Sequence, residues 1–339
     1  MTIVEYSHLD KIKRIEKPLV YFLFVKILFE MEREETVTSD DGFAEDINEN
    51  LVNFDRLHVF DPLSEYGIDQ LDEHRPLSND DEDDDDDHSL SQVNGNRFNE
   101  LIYKYDIQKI YAEYLYLLEE YEIIIVCDDS GSMTTEIENT NLTRWDLLSF
   151  IVKIVADISI VFDENGIDIY FLNRPEHLNV KDVESIDRMF SKRPRGYTPL
   201  KRVLQHIFQL PSTRRGNDKK TLVFIATDGQ PTDEKGNVNI EEIEDLMNNQ
   251  RNAQTTHVMF LICTDDREQV KYLSKWDELM TNVDITQDYH SEKAEVERCR
   301  GKEYPFSLGD YICKAILGAV HPFFDGLNEE KPLLHITKH

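Results

Sequence analysis

Residues 123–132 read Ile123-Ile124-Ile125-Val126-Cys127-Asp128-Asp129-Ser130-Gly131-Ser132. Four β-branched residues in a row fit a strand buried on both faces, the kind found in parallel sheets. The run then gives way to acids, hydroxyls and glycine, the composition of a turn. Thr143-Arg144-Trp145-Asp146 next opens a helix, with Thr143 as the expected N-cap and Asp146 in the reciprocal capping position. Leu148, Ile151, Val152, Val155, Ile158 and Phe162 continue it at helical spacing.

The same alternation extends outward from this strand–helix pair. Further strands are expected over 167–172, 221–226, 257–263 and 283–286. Helices are expected near 180–190, 199–210, 240–251, 267–279 and 308–319, and one before the first strand, over 98–118. Residues 287–306 read as a long charged loop, either a solvated insertion or a partner-specific surface. Strands alternating with helices imply right-handed crossovers. The expected fold is α/β: a doubly wound, mostly parallel sheet flanked by helices on both faces. The expected organisation has four parts: an acidic, largely disordered region over 1–90 with a short apolar segment, a leading helix over 91–118, the α/β domain over 119–325, and a tail over 326–339.

Charge bounds the partners. The 339 residues carry 37 Lys+Arg against 68 Asp+Glu, a formal net charge of −31. Such a polyanion is repelled by nucleic acid and by anionic membrane surfaces. Residues 1–100 hold 27 acidic and 9 basic side chains, so more than half of the excess lies there. It culminates in the acidic run Asp80–Asp87, which repels itself and reads as a disordered spacer. The apolar stretch over 18–31 is interrupted by Lys26 and Glu30 and is too short to span a bilayer, which takes about 20 residues. Cys127, Cys263, Cys299 and Cys313 form no Cys-x-x-Cys pair, so no zinc site is indicated, and their density is far too low for a disulfide scaffold. A cytoplasmic, reducing setting is expected.

In a sheet of this kind ligands sit beyond the carboxyl ends of the strands, so the loops after strands carry the chemistry. Asp128, Ser130 and Ser132 alternate along the first loop and aim three oxygens at one point, with Gly131 read as permitting the tight turn. A carboxylate and two hydroxyls suit a hard cation such as Mg²⁺, Ca²⁺ or Mn²⁺ and suit zinc or copper poorly. Three ligands do not saturate a six-coordinate ion, so other loops should contribute. Gly196-Tyr197-Thr198-Pro199-Leu200 places a hydroxyl just before a helix, and Thr227-Asp228-Gly229 places a carboxylate at a strand end. Asp129 and Asp233 are further acids beside these loops. Asp129 reads either as solvent-facing or as raising affinity for Ca²⁺, and Asp233 as an outer-shell group. Arg193, Arg195 and Lys201 flank Thr198, either to draw in an acidic partner or to offset nearby carboxylates.

Asp-x-Ser-x-Ser at 128–132, Gly-x-Thr-Pro-Leu at 196–200 and Thr-Asp-Gly at 227–229, in this order, resemble the metal-ion-dependent adhesion site of the von Willebrand factor A family. The resemblance covers about 121–324. Phe171-Leu172-Asn173-Arg174 and Gly309-Asp310-Tyr311-Ile312 are similar to segments of its intracellular members. It implies a divalent cation, Mg²⁺ in the first place with Mn²⁺ or Ca²⁺ as alternatives, held by Asp128, Ser130, Ser132, Thr198 and Asp228. It also implies a protein partner that completes the coordination with an exposed Asp or Glu. The expected function is therefore metal-dependent protein–protein interaction rather than catalysis. The alternative is a hydrolase or phosphoryl-transfer enzyme using the Asp128/Ser130 loop. Against it, the Gly-x-Ser-x-Gly elbow and the Walker-type phosphate loop are both absent.

Overall fold

The computed structural model describes residues 97–137, 142–163, 165–212, 219–264 and 266–329. The apolar stretch over 18–31, the acidic run Asp80–Asp87 and most of the expected C-terminal tail lie outside these residues.

Among the described residues, six strands form one mixed, mostly parallel sheet: β1 Tyr121–Cys127, β2 Ile167–Phe171, β3 His177–Val180, β4 Lys220–Thr227, β5 Thr256–Ile262 and β6 Val283–Thr286. Their order is β3-β2-β1-β4-β5-β6, and only β3 runs antiparallel to its neighbour. Helices among the described residues include α1 (residues 97–104), α2 Lys109–Leu115, α3 Arg144–Phe162, α4 Glu184–Phe190, α5 Leu200–Ile207, α6 Ile240–Asn249, α7 Arg267–Leu279, α8 Tyr289–Arg300, α9 Leu308–Leu317 and α10 Pro322–Asp325.

Alternation along each strand fills both sides of the sheet. Ile124, Val126, Val223, Ile225, Val258 and Phe260 pack with Leu204 of α5, Leu246 of α6 and Leu273 and Trp276 of α7. The residues between them, such as Ile125, Phe224 and Met259, are buried as well. Met259 takes the Ala319 N–H on its sulfur at 2.9 Å, which puts the end of α9 over that second face. Thr143 caps α3 as expected. Its hydroxyl accepts from Asp146 N, while Asp146 accepts from Thr143 N. Such a cap contributes about 1 kcal/mol.

Three expectations are corrected. The single helix over 98–118 is broken: Asp106 takes a positive φ of 54°, and a 3-10 turn follows α2. The break is held from afar, because Asp310 accepts from Gln108 N at 2.8 Å and Ser307 donates to Asp106 O at 2.6 Å. Gly309 makes this approach possible, since a Cβ there would meet Tyr105 O at 2.2 Å. Secondly, the helix expected near 180–190 begins only at Glu184, and the edge strand β3 precedes it. Thirdly, the charged loop over 287–306 contains helix α8, capped by Asp288, with Glu292 and Val296 turned inward. Among the described residues, no helix is long and apolar enough to cross a membrane.

Candidate functional site

The sheet order reverses direction at β1 and β4, which lie side by side and parallel. Loops leaving two such strands diverge and open a crevice at their carboxyl ends. Asp128 and Asp228 emerge together there, and Asp128 N donates to Ala226 O at 2.9 Å.

Hydrogen bonds link four of the five expected ligands. Asp128 Oδ1 accepts from Ser130 N at 2.9 Å, and its Oδ2 accepts from Thr227 Oγ1 at 2.7 Å. The Ser130 and Ser132 hydroxyls lie 3.0 Å apart. Ser132 Oγ donates to Asp228 Oδ1 at 2.8 Å. Asp128 and Asp228 are 1 % and 3 % exposed, whereas Ser132 faces solvent. The site is thus a buried pair of carboxylates with a hydroxyl at its mouth.

The loop of Thr198 is laced to both neighbours through the main chain. Gly131 N donates to Gly196 O at 3.0 Å and Arg195 N to Asp129 O at 2.8 Å. Thr198 N donates to Thr232 Oγ1 at 3.0 Å, and Thr232 N returns a bond to Thr198 O at 2.9 Å. Thr198 is buried at this junction, but its hydroxyl is not hydrogen-bonded to the other four ligands. Gly196 carries a φ of +105°, and a Cβ there would meet Asn173 Oδ1 at 2.5 Å. The conformational demand for glycine therefore falls on Gly196. A Cβ on Gly131 would make only an ordinary contact at 3.7 Å, which corrects the turn role read for that residue.

Electrostatics set the chemistry. Burial pushes the Asp128 carboxyl up to about 7, the nearby Asp228 charge adds to the rise, and the hydrogen bonds from Ser130 and Thr227 oppose it. Arg144, the first residue of α3, pairs with Asp228 Oδ2 at 3.0 Å. With Asp128 ionised, two carboxylates face one guanidinium and leave one negative unit in a nearly closed place, which a proton on Asp128 or a further cation offsets. Carboxylate and hydroxyl oxygens are the donor set a hard cation takes. The residues present therefore fit Mg²⁺, Mn²⁺ or Ca²⁺.

Other expectations around the site change. Asp129 is buried rather than solvent-facing, and it points away from Asp128 toward the loop after β2. It accepts from Asn173 N at 2.8 Å and pairs with Arg174 Nε at 2.7 Å. Arg174 in turn lies over the rings of Phe171 and Trp145. Asp129 is thus a brace for the crevice wall. Asp233 closes its own exposed turn by accepting from Lys235 N and Asn237 N, both at 2.8 Å. Lys201 pairs with Glu242 at 2.9 Å, while Arg193 and Arg195 stay exposed. Tyr197, 54 % exposed, stands on the same rim.

Arg144 and Thr227 contact the expected ligands Asp228 and Asp128, and neither was singled out in the sequence. Thr227 lay inside a quoted motif, and no sequence signal distinguished Arg144 from any first-turn arginine. No protein-family profile matches the chain, and no curated protein matches it significantly in sequence.

Proposed function

We propose that the chain is a von Willebrand factor A-type interaction module on a doubly wound sheet, binding an acidic partner protein through a divalent cation. Asp128, Ser130, Ser132, Thr198 and Asp228 hold the cation, Mg²⁺ by preference and Mn²⁺ or Ca²⁺ in its place. The observation that carries this reading is the Ser132–Asp228 hydrogen bond of 2.8 Å, which closes the β1 and β4 loops into one oxygen-lined site at the sheet's switch point.

The bound ion supplies Lewis acidity toward one further oxygen ligand. The protein's own residues set the charge. Asp128, Asp228 and Arg144 sum to one negative unit, so a divalent ion turns the site positive by one unit. An incoming Asp or Glu restores neutrality. The exposed Arg193 and Arg195 favour its approach, and Tyr197 offers apolar contact beside it. All four cysteines are free thiols, which supports an intracellular setting.

A serine nucleophile is less well supported. Ser130 and Ser132 bond to each other and to Asp228, and no histidine among the described residues is hydrogen-bonded to them. The test is affinity capture from cell extract with wild type and Asp228→Ala, each with and without chelator. Capture of a partner that needs both Asp228 and free divalent ion supports the proposal. Chelator-insensitive capture by both proteins contradicts it.

A further inference from the structure

A second group of carboxylates lies at the β6 edge of the sheet. Asp277 of α7, Asp284 of β6 and Asp325 of α10 each bring one oxygen within 4.8 Å of the others. They come from three separate elements, so their meeting is a product of tertiary structure rather than of a local acidic run.

Asp284 forms the floor and is 4 % exposed. Its Oδ1 accepts from Ile285 N at 2.7 Å, but its Oδ2 has no hydrogen-bond partner. A buried carboxylate oxygen without a partner is expensive and calls for a ligand. Asp277 is half-buried and Asp325 exposed, so solvent can reach the cluster from that side. The backbone closes over the other side at Gly318, where a Cβ would stand 1.6 Å from Asp284 Oδ2.

The surrounding charges leave the cluster negative. Lys314 of α9 is the nearby buried cation, and its ammonium pairs with Glu292 of α8 at 3.2 Å. Glu292 is also held by Gln287 N and by Asn328. Neither Asp277 nor Asp284 forms an ion pair with a described residue. When ionised, Asp277, Asp284 and Glu292 outnumber Lys314 at this end of the sheet. Burial, first among the causes, and the neighbouring carboxylates push Asp277 up to about 7; burial likewise pushes Asp284 up to about 6, against the pull of Lys314.

A proton shared between Asp277 and Asp284 would satisfy that pair and leave Asp325 outside it, whereas a cation joins all three carboxylates. We propose that Asp277, Asp284 and Asp325 form a second divalent-cation site, distinct from the crevice at β1 and β4, that fastens α10 to the edge of the sheet. Three carboxylate oxygens with water completing the shell suit Ca²⁺ or Mn²⁺.

The probe is Mn²⁺ alone, added to the full chain and to Asp277→Asn/Asp284→Asn, with bound ions counted by titration and thermal unfolding followed in parallel. The wild type should bind one more Mn²⁺ than the double variant. Its Tm should rise by on the order of 5 °C more at a hundredfold excess over Kd. Equal counts and equal Tm shifts would overturn the site and leave a shared proton as the account of the cluster. The acidic N-terminal run and the β1/β4 crevice are common to both proteins, so only the difference reports on this site. Asp228→Ala should keep the increment, which separates failure here from failure of the first site. Should the double variant not fold, Asp325→Asn at the exposed rim serves. It should lose most of the shift, and retention of the full shift overturns the proposal.

Discussion

Ser132 donates its hydroxyl to Asp228 at 2.8 Å, joining two residues that are 96 positions apart in the chain. Because Ser132 is exposed, its side chain contributes little to the core. Ser132→Ala should therefore cost the metal-free protein only the lost hydrogen bond to the buried Asp228 carboxylate, about 2 kcal/mol. Divalent-ion affinity should fall about tenfold, the usual cost of losing a group that orients or holds a ligand. Calorimetric titration beside a denaturant melt checks both parts.

Arg144 acts in the opposite sense. It neutralises Asp228 in the metal-free protein and so competes with a cation for the same carboxylate. Arg144→Gln should destabilise the metal-free protein by about 2 kcal/mol, since a buried charge loses its partner. Divalent ions should then bind more tightly than to wild type. Weaker ion binding would mean that Arg144 builds the site instead of competing for it.

Asp129 neighbours Asp128 in sequence yet serves a different purpose. Its pair with Arg174 at 2.7 Å and its bonds to Asn173 brace the loop after β2. Asp129→Ala should cost about 3 kcal/mol of stability, because Arg174 would be left largely buried without its anion. The number of ions bound per chain should not change. A lost ion would move Asp129 into the ligand set.

His257 gives the fold an acid-side weakness. Its Nδ1 lies 2.8 Å from Ala319 O, where a protonated Nδ1 donates, and burial pulls its pKa down to about 4. The folded state keeps the ring neutral, while the unfolded chain protonates it near 6.5. This contribution to stability is thus complete above about 6.5 and is lost as pH falls toward 4, by up to about 3 kcal/mol. His257→Asn, whose amide can still donate to Ala319 O, should flatten that part of the stability–pH curve. An unchanged slope would assign the weakness to other groups.

Much of the fold was legible because buried strands announce themselves. The β-branched run Ile123–Val126 and the apolar run over Thr221–Ala226 matched β1 and β4, and the capping pair Thr143/Asp146 marked the start of α3. What escaped was written in polar residues. β3 is an edge strand with three exposed positions of four, so it shows no apolar alternation. Helix α8 buries Glu292 and Val296, and a buried glutamate paired with Lys314 looks from sequence like a solvated charge. The break at Asp106 depends on Asp310, some two hundred residues away, which no local window contains. At the crevice, the motif residues Asp128, Ser130, Ser132 and Asp228 meet through hydrogen bonds. Their charge balance rests on Arg144, a residue that only the three-dimensional packing brings to Asp228.

The most direct measurement is a calorimetric titration of Mg²⁺ and Mn²⁺ into the full chain, wild type against Asp128→Ala. The crevice between β1 and β4 is expected to give the wild type a saturable binding event that Asp128→Ala lacks, with both proteins folded. Equal heats and equal stoichiometry in the two proteins would contradict the proposed metal site.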